Sequence, residues 1–348
     1  MEPVKTIEYY DAGKTKIKSE EWRLNGKLRR NDGPVEIEYY ENGKIKSELY
    51  CINGTLHRED GPAYIDYFEN GNIECEIYYI NIKLHREDGP AQVEYFENGK
   101  IRNGKYYING LLHREDGPAL IGYYENGKIK YENYYINDKL HREDGQPAVI
   151  EYYENGKIKY EKYSINRKLH REDGPAQVEY FKNGKINYEK YYINDELHRE
   201  DGPARIEYFE NGKIKYEKYY INGKRHREDG PALIQYYDDS NIWYEKYYIN
   251  GLLHREDGPA LIKYFENGNI NYEEYYIDGI FHHDYKPAYY EYDINGFLRC
   301  IKYYQNDKLH RDYDLSAVIK YNPFGLITSE QYYQNGLKQK NKKKIKRK

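Results

Sequence analysis

The motif Leu112-His113-Arg114-Glu115-Asp116-Gly117-Pro118-Ala119 returns, in close variants, along nearly the whole chain. It opens at Leu28, Leu56, Leu84, Leu112, Leu140, Leu169, Leu197, Arg225, Leu253, Phe281 and Leu309. The step is 28 residues except between Leu140 and Leu169, where it is 29. A fixed period in this range marks a repeat architecture, in which each unit buries its apolar surface against its neighbours. It overrides the two or three domains that 348 residues would otherwise suggest and makes one elongated array the expectation.

Within a unit the local signals are those of β-structure. Glu115-Asp116-Gly117-Pro118 reads as a turn, with Asp-Gly supplying a positive-φ position and proline unable to donate to a ladder. Ala119 to Tyr124 reads as a strand interrupted by Gly122. Glu125-Asn126-Gly127-Lys128 reads as a type I′ hairpin turn, the strongest short hairpin signal. Ile129 to Ile136 is a second, longer strand closed by Asn137-Asp138, and Lys139 to Arg142 could add a short third strand. No segment carries sustained 3.6-residue apolar periodicity. The fold class expected is therefore all-β: an elongated, single-layer antiparallel meander of tandem β-hairpin repeats without helices of note. Residues 1–27 read as an N-terminal partial repeat or cap, 28–336 as eleven repeats, and 337–348 as a basic disordered tail.

Alternation assigns the faces. Ala91, Val93 and Tyr95 share one face, with Gln92 and Glu94 on the other. Ile129 and Tyr131 likewise oppose Lys130 and Glu132. The expectation is one apolar, aromatic face and one charged face with Glu and Lys paired across strands. Hydrophobic residues make up 39%, short of the usual ~45–50% of globular chains. The 48 tyrosines fill that shortage, because each ring buries apolar area while its hydroxyl stays satisfied.

The signature Tyr123-Tyr124-Glu125-Asn126-Gly127-Lys128-Ile129-Lys130, followed by Tyr134-Tyr135-Ile136-Asn137, resembles the MORN repeat variant family, over roughly residues 6–336. The longer His-Arg-Glu-Asp-Gly-Pro-Ala linker is similar to the version abundant in giant amoebal viruses. What the resemblance implies is an elongated antiparallel sheet used for protein contact or scaffolding. Some bacterial members are antitoxin-like partners, which gives an alternative reading.

No residue set stands out as catalytic, cofactor-binding or metal-ligating. One histidine per repeat places neighbours too far apart to share a zinc ion, whose ligands must lie ~2 Å from the metal. Each is read instead as hydrogen-bonded to the next turn, with the adjacent pair His282 and His283 the exception to test. Carboxylates such as Glu115 and Asp116, repeated in every unit, make many equivalent positions rather than one active site. Asp116 is expected to accept backbone N–H groups while Arg114 balances its charge. No phosphate-binding glycine loop, Gly-x-Ser-x-Gly, Cys-x-x-Cys or His-Glu-x-x-His is present. An enzyme is therefore not expected.

Specificity in an array is sought where units deviate. Candidate interaction residues are Trp243, expected as an exposed anchor beside the altered turn at Asp239, and His282, His283 and Tyr285. Residues 338–348 carry eight Lys and Arg and no acid. Removing those eight from a net charge of −4 leaves −12 on the rest, so the body offers no general nucleic-acid surface. Docking to nucleic acid or anionic membrane could run only through Lys342, Lys343, Lys344, Lys346, Arg347 and Lys348. Three cysteines, odd in number and unmatched in repeat position, favour a reducing compartment. With no apolar leader or spanning segment, an intracellular, cytoplasmic location is expected (host cytoplasm or virion, if viral). The function expected is a non-enzymatic scaffold for an unidentified protein partner.

Overall fold

A computed structural model of the chain describes residues 2–313 and 315–339. The basic-tail candidates Lys342, Lys343, Lys344, Lys346, Arg347 and Lys348 lie outside the described residues. Tertiary contacts divide the chain into two units, Met1–Leu169 and His170–Lys348. Among the described residues both are built of strands and turns without a helix. In the first unit the principal strands run from Val4–Tyr9 to Ile158–Lys162 and pair antiparallel in chain order. In the second, Gln177–Tyr180 to Ile327–Gln331 do the same. Each unit is thus an antiparallel meander of tandem hairpins.

Every repeat contains two hairpins. The long one pairs, for example, Leu120–Tyr123 with Ile129–Asn133. The short one pairs Tyr135–Ile136 with Lys139–Leu140 and forms a separate two-stranded piece. The short third strand thus exists, but outside the main ladder.

The turn chemistry differs from expectation. At the long hairpin, Tyr124 N–H donates to Lys128 O at 2.9 Å and Gly127 N–H to Tyr124 O at 2.8 Å. Gly127 has φ +86°, while Asn126 keeps a negative φ. This is a three-residue loop with a bulge rather than a type I′ turn. Asn126 is needed for its side chain, because Oδ1 accepts from Lys128 N–H at 3.0 Å. The type I′ turn occurs at the short hairpin, where Asn137 (φ 50°) and Asp138 (φ 61°) are both left-handed.

The bulge corrects the face assignment as well. Ile121 lies opposite Glu132, which in turn lies opposite Ile150, whereas Tyr131 faces Gly122 and Glu151. The shifted register places the apolar sets of the two strands on opposite faces of the sheet. Glu132 therefore sits among the apolar residues of the first strand. Its charge is satisfied there by Tyr152, whose hydroxyl donates to Glu132 Oε2 at 2.8 Å. Tyr67–Glu48, Tyr95–Glu76, Tyr208–Glu189 and Tyr236–Glu217 repeat the pair at 2.6–2.8 Å. Burial first, and then the adjacent carboxylate, push these phenols well above their ordinary range. On the same face the alanine that ends each motif is fully buried, from Ala63 to Ala317.

At the ends of the array, Val4–Tyr9 and Ile17–Leu24 form a complete long hairpin, so the N-terminal segment carries the repeat geometry. Leu337–Lys338 pairs with Tyr333–Gln334. The ordered array thus extends two residues into the segment expected as tail, because Asn335 (φ 47°) and Gly336 (φ 82°) make one more type I′ turn.

Among the non-glycine residues in left-handed conformations, Ser240 (φ 84°) stands where sister long-hairpin turns have glycine, and Ile82 (φ 61°) is a β-branched residue in a type I′ turn. Left-handed backbone costs a residue with a Cβ roughly 1–2 kcal/mol. Ser240→Gly and Ile82→Gly should each raise the unfolding free energy by about 0.5–1 kcal/mol after the entropy cost of glycine, read as a higher urea midpoint. Gly127→Ser should lower it.

Candidate interaction site

The conserved-looking charges of the motif are consumed in a joint between repeats. Arg114 lays its guanidinium over the Tyr106 ring, 4.1 Å from the centroid. Its Nε donates to Asp116 Oδ1 at 2.8 Å and its Nη1 to Pro118 O at 3.5 Å. The same stack recurs at Arg58–Tyr50, Arg86–Tyr78, Arg142–Tyr134, Arg199–Tyr191, Arg227–Tyr219 and Arg255–Tyr247, all at 3.9–4.1 Å. Near the N-terminus, Arg30 lies over Trp22 in the same way. Asp116 accepts from the guanidinium, which corrects the expectation that it caps backbone N–H groups.

This geometry also explains the motif glycine. Gly117 does not have a positive φ. A Cβ there would lie 2.9 Å from Arg114 Cζ, so a side chain at this position would have to displace the guanidinium from its stack. Only where Gln146 is inserted does the motif glycine, Gly145, turn left-handed (φ 75°).

The histidines complete the joint. His113 Nδ1 accepts from Asn137 N–H at 3.3 Å, in the type I′ turn of the following repeat. His57, His85, His141, His170, His198 and His226 do the same at 3.1–3.3 Å. On the other side of the ring Nε2 faces the motif glutamate, as at His141–Glu143 (3.0 Å).

Successive motif loops bound a cleft that recurs along each unit. It has about 420 Å³ between Arg58–Gly61 and His85–Asp88, and the same between Arg114–Gly117 and His141–Asp144. In the second unit it reaches about 620 Å³ at 171–201 and 670 Å³ at 227–257. The walls are the same residue types each time, so the clefts present equivalent surfaces.

The deviating units resolve differently. Around Trp243 the turn keeps its form: Ser240 N–H donates to Tyr237 O at 3.1 Å, and Asp239 Oδ1 accepts from Asn241 N–H at 2.8 Å. Trp243 is half-buried between Tyr237 (6.0 Å) and Tyr244 (5.3 Å), not the exposed anchor expected. His282 keeps the joint role, accepting from Asn306 N–H at 3.4 Å and contacting Asp284 at 2.7 Å. His283 takes the place of the arginine, its ring 5.2 Å from Tyr275. Burial, with Lys286 beside it, holds His283 below the ordinary 6.5. Because the imidazole is smaller than a guanidinium, Lys286 can occupy the glycine position. The two histidines face different partners, and among the described residues no group of three His, Cys, Asp or Glu could hold a metal. Tyr285, at the aspartate position, is 94% exposed.

Exposed apolar side chains, which the sequence reading did not single out, collect at the last two long-hairpin turns. Ile294 and Phe297 replace the usual Glu and Lys, and Phe324 and Leu326 replace Asn and Lys. Phe324 is 87% exposed, Leu326 65%, and Ile294 and Phe297 55% each. Comparing those turn positions with their sister repeats would have found them. The three cysteines are free thiols, and burial pushes Cys75 up to about 12.

Gly117→Ala should cost about 1–3 kcal/mol by overpacking the guanidinium. In the double variant Arg114→His/Gly117→Ala the cost should be less than the sum of the singles, as urea midpoints in a double-mutant cycle would show. The acid limb of stability should carry the same signature. Hydrogen bonding to arginine holds Asp88, Asp116, Asp201 and Asp229 below their ordinary 3.8. Their folded-state affinity for protons is below that of the unfolded chain, so their contribution is complete above about pH 4 and is lost as pH falls through the lowered values. Thermal midpoints should fall over that window, and less steeply in Asp116→Asn.

The family described as MORN repeat variant matches five segments, 35–53, 63–81, 120–137, 148–166 and 204–222. Each match begins at the buried residue that opens the long hairpin or one residue after it, and ends in the type I′ turn. The arginine-bearing connection lies between matches. Comparison with curated proteins finds no significant match. Among solved structures, the chain is similar to a TcdB2-TccC3 crystal structure at 10% identity and TM-score 0.14, over 94% of this chain and 20% of that one. A Photorhabdus luminescens Tc holotoxin pore gives 10% identity and TM-score 0.12, over 96% and 18%. The chain spans about a fifth of the length of these structures. Repeats of this kind mediate protein or membrane interactions. With five matched segments, each folded as the hairpin the motif specifies, the chain is a tandem array of MORN repeat variants.

Proposed function

We propose that the chain is a non-enzymatic scaffold that binds a protein partner through the turns of its last two repeats. The observation that carries this reading is the replacement of charged turn residues by Ile294, Phe297, Phe324 and Leu326, all left exposed. Exposed apolar groups that cluster on a polar surface mark contact sites, and aromatic residues supply most of the energy in such contacts. The turn at Ile294 is also held in place, since Asn267 Nδ2 and Asn269 Nδ2 both donate to its carbonyl at 2.9 Å. Free thiols, two of them buried, suit a reducing interior, so an intracellular partner fits best.

The test restores the sister-repeat residues: Ile294→Glu, Phe297→Lys, Phe324→Asn and Leu326→Lys together, in co-purification from the native source. Fold stability should be unchanged and captured partners should be lost. An unchanged set of partners would place the contact elsewhere.

A further inference from the structure

On the sheet face opposite the arginine–tyrosine stacks, the second unit carries a row of like charges. Lys190 pairs directly with Arg205, and Arg205 with Lys218, across three adjacent strands. Side chains directly opposite on antiparallel strands lie ~4.5–5.5 Å apart at Cβ, and like charges there are destabilising. Arg225 adds a fourth cation. It stands where the other motifs have leucine (Leu112, Leu140, Leu197, Leu253) or, once, Phe281, and its Nε and Nη1 donate to the hydroxyls of Tyr220 (3.2 Å) and Tyr248 (3.3 Å). Arg205 is equally unusual, since sister repeats place Gln92, Val149, Gln177 or Leu233 there.

The carboxylates nearby do not balance this row. Glu207 pairs with Arg205 and lies 4.0 Å from Lys218. Glu179 reaches Lys190, and Glu274 reaches Lys246 at the far side. At the centre of the row, Glu207 is shared between Arg205 and Lys218. Arg205 Nε is buried and makes no hydrogen bond among the described residues. Lys218 is only 15% exposed along its side chain, held over the Tyr216 ring at 4.6 Å. Burial, then Arg205, lowers its affinity for a proton, with Arg225 and Lys190 adding to the effect. Tyr220 and Tyr248 accept from Arg225, which leaves their own protons to donate.

We propose that Arg205, Lys218 and Arg225, flanked by Lys190 and the Tyr220 and Tyr248 hydroxyls, form a binding site for a phosphoryl-type oxyanion. Such an anion supplies the missing negative charge, and planar guanidinium forks suit its oxygens. The site lies away from the apolar turns and does not depend on the partner proposed for them.

The test is calorimetry and thermal shift on the full chain with inorganic phosphate and with glycerol 3-phosphate, against chloride at equal ionic strength. Phosphate should raise the midpoint where chloride does not. Arg225→Leu and Arg205→Gln each restore a residue found in sister repeats. Each should weaken binding about tenfold or more and, without phosphate, should be at least as stable as the parent because a like charge is gone. Tighter binding of glycerol 3-phosphate would indicate a ligand-borne group, and tighter binding of inorganic phosphate the free ion. Equal responses to phosphate and chloride, or full binding in both variants, would overturn the proposal.

Discussion

The stacking of an arginine guanidinium between a tyrosine ring and a bare glycine backbone is the contact on which the regular repeats depend. A two-stranded hairpin alone is marginal in water, and a sheet one layer thick leaves both faces to be covered. The connection between repeats solves this by folding back over one face. Arg114 lies on Tyr106, is held by Asp116 and Pro118, and leaves no space for a side chain at Gly117. A single cation–π contact contributes ~0.5–2 kcal/mol. Repetition along the array makes the sum large, and the histidine bond to the next turn passes the constraint from one repeat to its neighbour.

The repeat, the all-β class and the turn positions were legible in the sequence, because a constant period and Asn-Gly spacing act locally. The strand expected over Ile129 to Ile136 instead breaks at Tyr134 into Ile129–Asn133 and Tyr135–Ile136, one in each hairpin. The faces were not legible. Alternation within Leu120–Tyr123 and within Ile129–Asn133 is correct strand by strand, but the bulge beside Tyr123 sets their mutual register. The type I′ turn was assigned to the wrong hairpin for a related reason. The letters Asn-Gly serve at both turns, and only the hydrogen bond from Lys128 N–H to Asn126 Oδ1 distinguishes the first. The motif glycine was misread because its role depends on a residue three positions earlier. His283 and Lys286 show the rule by breaking both halves of it together.

The candidate sites followed the same logic. Trp243 stood out as a rare residue, yet it packs against Tyr237 and Tyr244 within its own repeat. Phe324 and Leu326, ordinary letters in a fraying repeat, are the exposed ones. The cationic row of the second unit was invisible because it needs register: Lys190, Arg205 and Lys218 are separated in sequence and adjacent across strands. Uniform repeats therefore carry stability, and departures from uniformity carry recognition.

Hydrogen exchange on Arg114→Met tests the central claim most directly. The amides of Arg114, Asn137 and Asp138 bond to Tyr135 O, His113 Nδ1 and Leu112 O, all across the joint. Faster exchange at these three, with the long-hairpin amides of Gln92–Tyr95 unchanged, is the result expected if the guanidinium stack holds the repeats together. Unchanged protection at Asn137 and Asp138 would contradict it.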